Sequence, residues 1–132
     1  MKAQESGPWR ASSSNSRSIT GDIFFAPSKL TINFTTFTVA QIRSLETKEA
    51  IALFNPDTPT GGGNVFRVEI PADKRFLHKN TLCGSDETQW IVTYAQGRDL
   101  EVAFFSGATP PVLTVDALNN APNLCGVFSY VR

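Results

Sequence analysis

Few residues of this chain could do chemistry. His78 is the single histidine and the only side chain whose ordinary pKa lies near neutrality. It sits between Leu77 and Lys79 in a polar stretch, which reads as a surface position. No Gly-x-Ser-x-Gly elbow is present to build a nucleophile around it. Asp86 and Glu87 form one carboxylate pair, and Asp99 and Glu101 form another. Paired carboxylates can act as acid and base on glycosides, but these border turns, where Asp is ordinarily structural. Asn33-Phe34-Thr35 matches a glycosylation sequon inside an expected strand. Asn55 to Gly63, NPDTPTGGG, is glycine-rich but is not followed by the Lys-Ser/Thr and helix of a phosphate loop. It reads as a long mobile loop.

The two cysteines, Cys83 and Cys125, share the context Leu-Cys-Gly, and each borders an expected strand. Zinc is disfavoured, because one histidine and two cysteines have no ligand spacing. No metal site and no cofactor are expected. Two readings of the pair stay open, a disulfide or two small buried thiols. The shared context favours the disulfide, which on the chain-entropy model would add about 4 kcal/mol. It would imply an oxidising compartment. The N-terminal MKAQESGPWRASSSNSRS has no apolar core and is not a signal peptide. The expectation is therefore a mature form, its signal removed, in the periplasm or outside the cell; the alternative is a cytosolic protein.

Hydrophobic residues make up 41% and charged residues 18%, with 10 Phe, which suits an all-β domain better than a surface-charged helical bundle. A formal net charge of zero leaves no basic excess for phosphates, so a nucleic-acid partner is disfavoured. The longest apolar run, Ala50 to Phe54, is too short to span a bilayer.

The elements that would position these residues are short strands. The chain is organised around Leu82 to Gly107, with strands at Thr88–Tyr94 and Leu100–Ser106 joined through Gly97. An odd-length loop would pair Tyr94 with Leu100, Val92 with Val102 and Trp90 with Phe104. That gives one clean apolar face, so it is the expected register. An even loop would place Thr93 opposite Leu100 and Trp90 opposite Ala103. Further strands are expected at Ser18–Phe25, with a bulge or bend at Gly21, at Lys29–Phe34, at Phe37–Ile42 with a shift at Ala40 that reads as a bulge or the start of a short turn, at Asn64–Ile70 and at Cys125–Val131. Lys29–Phe34 would put Leu30, Ile32 and Phe34 on one face. Thr47–Phe54 reads as either a short helix or a strand, with strand preferred. Pro71–Leu77 and Asp116–Asn120 read as helical turns, the second capped by Asp116, and Val112–Val115 as a short strand.

About eight short strands with one or two helical turns predict an all-β fold, a small antiparallel β-barrel, lipocalin-like or similar. Residues 1–8 would be a flexible tail and 9–132 a single barrel domain, with order starting at Trp9. Inward Trp90, Tyr94, Leu100 and Phe104 would fill a barrel of this size. Ser106, Gly107, Ala108, Thr109, Pro110 and Pro111 form a rigid loop leaving the hairpin, the candidate binding loop. The functional expectation is a non-enzymatic exported binding protein that engages a protein partner through surface loops. A small apolar ligand inside the barrel is the alternative, and a hydrolase using Asp/Glu chemistry is a third reading.

Leu82-Cys83-Gly84, Gln89-Trp90, the stretch LEVAFFSG from Leu100, Leu124-Cys125-Gly126-Val127-Phe128 and SITGDI from Ser18 together resemble uncharacterised small exported proteobacterial proteins with one Cys pair. The resemblance implies export but no activity. Ser106-Gly107-Ala108 is also similar to the protruding Ser/Gly loop of the periplasmic inhibitors of C-type lysozyme. That likeness implies a small barrel whose loop enters an enzyme cleft. The Lys-Gly-containing second motif of those inhibitors has no counterpart here.

Overall fold

The computed structural model describes residues 5–132; the expected tail over 1–8 lies outside the described residues at 1–4. Eight antiparallel strands close into a barrel in sequence order: β1 Gly7–Ala11, β2 Ile23–Ala26, β3 Lys29–Ile32, β4 Thr35–Ser44, β5 Asn64–Ile70, β6 Thr88–Gln96, β7 Asp99–Phe105 and β8 Leu124–Val131. Closure comes from β1, which pairs with β2 through Gly7 to Trp9 and with β8 through Arg10 and Ala11. The first strand therefore begins before Trp9. A closed barrel leaves no side of the sheet unpaired around the ring.

Inside the barrel lies an apolar core that includes Trp9, Phe25, Leu30, Ile32, Phe66, Ile91, Leu100, Val102, Phe104, Phe128 and Tyr130, each 5% exposed or less. Phe104 and Phe128 meet edge to face at 5.2 Å. A second cluster, of Val65, Trp90, Val92, Ala103, Phe105 and Leu113, lies on the outer face of the same strands. It is covered by Leu53 and Phe54 of helix α1 (Thr47–Phe54) and by Leu118 of helix α2 (Val115–Asn119).

That second cluster explains the register. Gln96 pairs with Asp99, so the hairpin loop is the two residues Gly97 and Arg98. Thr93 lies opposite Val102, Ile91 opposite Phe104 and Trp90 opposite Phe105. The loop is even, which corrects the odd-loop pairing, and the pairing is also two residues away from the even alternative. Gly97, at φ 61°, supplies the positive φ that the first position of a type II′ turn needs. Leu100 and Phe104 point inward as expected; Trp90 and Tyr94 point outward. A face count could not find this, because the whole stretch from Trp90 to Ala95 is buried. With helices covering the outside, there is no polar face to read.

Other segments also depart from expectation. Thr47–Phe54 is a helix, not a strand. Glu49 accepts the Glu46 backbone N–H at 3.0 Å, Asn55 ends the helix in a left-handed conformation with its N–H bonded to Ala50 and Ile51 carbonyls, and Pro56 follows. Ser18–Phe25 is not one strand: a helical turn covers Ser16–Thr20 and β2 starts at Ile23. Lys29–Phe34 stops at Ile32; Phe34 is in a turn, not on the core face. The bulge in β4 is real and falls between Gln41 and Arg43. Of the helical turn expected at Pro71–Leu77 there is only a single turn, closed by the Lys74 N–H on the Pro71 carbonyl at 3.1 Å; the short helical turn falls after it, at Leu77–Lys79. Val112–Val115 is not a strand, and Thr114, not Asp116, caps α2. The glycine run is stitched to the barrel: Gly62 and Ala95 exchange two backbone hydrogen bonds, at 3.0 and 2.8 Å.

Candidate functional site

The four connections at one end of the barrel are β1–β2, β3–β4, β5–β6 and β7–β8. The candidate loop Ser106–Pro111 starts the β7–β8 connection, and its base is clamped on two sides. The Ser106 N–H donates to the Asn123 carbonyl at 2.9 Å, and the Asn123 side-chain amide returns a bond to the Ser106 carbonyl at 3.4 Å. The Trp90 indole Nε1–H donates to the Gly107 carbonyl at 2.8 Å. Trp90 thus owes its outward position to the even loop and uses it to hold the tip. Gly107 has φ 104°, a conformation side chains resist. Ser106 is buried, Gly107 to Pro110 are exposed, and Pro111 is buried again. Leu113 then anchors the segment in the outer cluster. The result is a four-residue tip on a fixed base.

Cys83 and Cys125 form a disulfide with Cα atoms 4.9 Å apart. It joins the β5–β6 connection to β8, and that connection carries Phe76 and Leu82 into the inner core. The Thr88 hydroxyl donates to Cys83 Sγ at 3.1 Å.

The carboxylates divide. Asp86 and Glu87 are exposed in a turn. Asp99 and Glu101 line a groove of about 410 Å³ at the other end of the barrel, with Phe54, Asp57, Tyr94 and Gln96. Tyr94 stacks on Phe54 at 6.2 Å, donates to Gln96 Oε1 at 2.7 Å and accepts the Gly61 N–H at 3.0 Å. Burial, then the charge of Asp99, pushes the Glu101 carboxyl up, and a hydrogen bond from the Ser129 hydroxyl at 2.8 Å works against that rise. Asp99 and Glu101 rise two residues apart from the same strand wall, whereas glycoside acid–base pairs flank the bond they cleave. His78 is exposed. Among the described residues no group of three or more His, Cys, Asp or Glu could hold a metal ion, and no helix is long and apolar enough to cross a membrane.

Comparison with family models, with curated proteins and with solved structures gives no match.

Two polar features escaped sequence reasoning. Glu5, 1% exposed, accepts from the Thr93 hydroxyl at 3.0 Å and from the Asn64 amide at 2.9 Å, while its backbone carbonyl accepts the Trp9 indole N–H at 2.8 Å. Desolvation raises the Glu5 pKa, and the bonds from Thr93 and Asn64 oppose that. No local pattern marks a glutamate in a polar N-terminal stretch as buried. The second is the two-point pairing of Arg43 with Glu49, at 2.7 and 2.8 Å, which holds the Glu49 carboxyl below its ordinary value. Glu46 and Glu49 at capping spacing, followed by Asn55-Pro56, were the signal for that helix.

Proposed function

We propose that this chain is an exported, non-enzymatic binding protein that acts on a protein partner through its surface loops. The observation that carries the reading is the Gly107–Pro110 tip, exposed on a base held by Trp90 and Asn123. A loop fixed before binding loses less conformational freedom on association. The filled interior supports surface binding over an apolar ligand inside the barrel, because Phe25, Phe104, Phe128 and Tyr130 occupy the space such a ligand would need. The disulfide supports an oxidising compartment, periplasmic or extracellular.

C-type lysozyme is the first partner to assay, given the likeness of Ser106-Gly107-Ala108 to the inhibitor loop. With Ser106 buried, Gly107 and Ala108 would be the residues that enter a cleft. The broader experiment places a photo-crosslinking residue at Val112, exposed just outside the tip, and exposes the protein to an extract of the exported fraction. A partner crosslinked by this protein, and lost when Gly107–Pro110 is replaced by a two-glycine link, is the expected result. Crosslinks that survive the replacement, or none at all, would remove the reading.

A further inference from the structure

The β3–β4 turn holds Phe34 in an unfavourable state on two counts. Asn33 and Phe34 have φ 49° and 66°, the paired left-handed conformation of a type I′ hairpin turn, whose second position strongly favours glycine. A bulky residue there is strained. The side chain is also 100% exposed, so no burial within the chain offsets the strain. Strain that persists without an internal return points to a use outside the folded chain.

Phe34 itself forms one wall of a groove of about 450 Å³ that Thr20, Ile23, Phe24 and Leu77 also line. Phe24 is 47% exposed, though its neighbours Ile23 and Phe25 are buried. The single charged group in the lining is Asp22, and its Oδ1 already accepts the Ala11 N–H at 3.0 Å. One patch therefore carries an aromatic knob and, next to it, a mostly apolar groove. Such a patch is self-complementary under two-fold rotation: each knob enters the other copy's groove, and the contact closes at two copies.

Charge favours this occupant over a lipid surface. Around this end of the barrel, Arg17, Lys74, Arg75 and Lys79 are outnumbered by Asp22, Asp73, Asp86, Glu87 and Asp116, so there is no basic excess to draw an anionic membrane. The net charge of zero gives two copies no repulsion to overcome.

We propose that Phe34 anchors a weak two-fold self-association, each copy's ring seating between Phe24 and Leu77 of the other. This goes beyond the loop-binding reading and does not rest on it. With one knob and one groove per copy as its anchors, the contact is of the small, weak class, so the dimer forms at high concentration.

Sedimentation velocity on the full chain from about 10 µM to about 1 mM tests it. The wild type is expected to move toward twice the monomer mass. Phe34→Gly is expected to weaken association by about tenfold or more, while its unfolding midpoint is unchanged or raised because the strain is relieved. Phe24→Ser, which alters the groove and leaves the knob, is expected to weaken association as well. A wild type that stays monomeric throughout, or a Phe34→Gly protein that associates as strongly, overturns the proposal. So does a monomer that floats with phosphatidylcholine vesicles through Phe34 instead of pairing with itself.

Discussion

Thr93→Val tests the hairpin register and the buried Glu5 together. Thr93 is 0% exposed; its hydroxyl donates to Glu5 Oε2 at 3.0 Å and accepts the Asn64 backbone N–H at 3.1 Å. Valine has the same shape without the hydroxyl. The change removes one hydrogen bond to a carboxylate, about 1.5–3 kcal/mol, and takes the acceptor from the half-buried Asn64 N–H, about 1–3 kcal/mol. The added methyl returns about 0.8 kcal/mol, leaving a net loss of about 3 kcal/mol. The loss should depend on pH. A hydrogen bond to the ionised carboxylate lowers the folded pKa, so its contribution is present while Glu5 is charged and fades as pH falls through that pKa. Urea unfolding at about pH 7 and about pH 4 should therefore show a larger penalty at the higher pH. Thr93→Ser keeps the hydroxyl and should cost about 1 kcal/mol. Under the odd-loop register Thr93 would face away from the core and valine would be neutral or favourable in a strand. A Thr93→Val protein that unfolds with the wild type, or a Thr93→Ser protein that is equally damaged, would refute the reasoning.

Replacing both Cys83 and Cys125 with Ala should lower stability by about 4 kcal/mol for a bridge spanning 42 positions; guanidinium unfolding that moves by less than about 1 kcal/mol would show that the crosslink constrains little. Gly63→Ala should cost about 3 kcal/mol or prevent folding, since its Cβ would lie 1.7 Å from the Thr93 carbonyl oxygen. Gly84→Ala, in open space but at φ 65°, should cost only about 1 kcal/mol; equal thermal stabilities of the two variants would contradict the packing at Gly63. Glu101 has a raised folded pKa, from burial first and Asp99 second, so the folded state holds its proton to higher pH than the unfolded chain. Stability should fall as pH rises from the ordinary carboxylate pKa to the raised one. Glu101→Gln should flatten that slope, and an unchanged pH profile of the melting temperature would count against it.

The strand content was legible because it is local. Lys29–Ile32, Asn64–Ile70 and Cys125–Val131 show β-branched and aromatic residues between turn signals, and each lies in a strand. The candidate loop was legible as a rigid, small-residue segment; its clamps were not, because Trp90 and Asn123 lie far from it in sequence and reach it only through the folded sheet. Thr47–Phe54 is ambiguous as a pattern because five consecutive apolar residues, 50–54, fit helix and strand equally. Its capping residues at Glu46, Glu49 and Asn55 carried the information instead.

By itself the sequence determined an all-β chain of short strands, with a hairpin at its centre and two cysteines bordering strands. Backbone propensity and turn chemistry act over a few residues and need no partner to be read. Only the tertiary structure decided which face of that hairpin is inside. Both faces are buried, one in the barrel and one under α1 and α2, so side-chain alternation carries no sign, and the Gly97 turn sets the register. It alone also stitched the glycine run to β6 and buried Glu5 against Thr93 and Asn64, since both depend on close approach between segments distant in sequence.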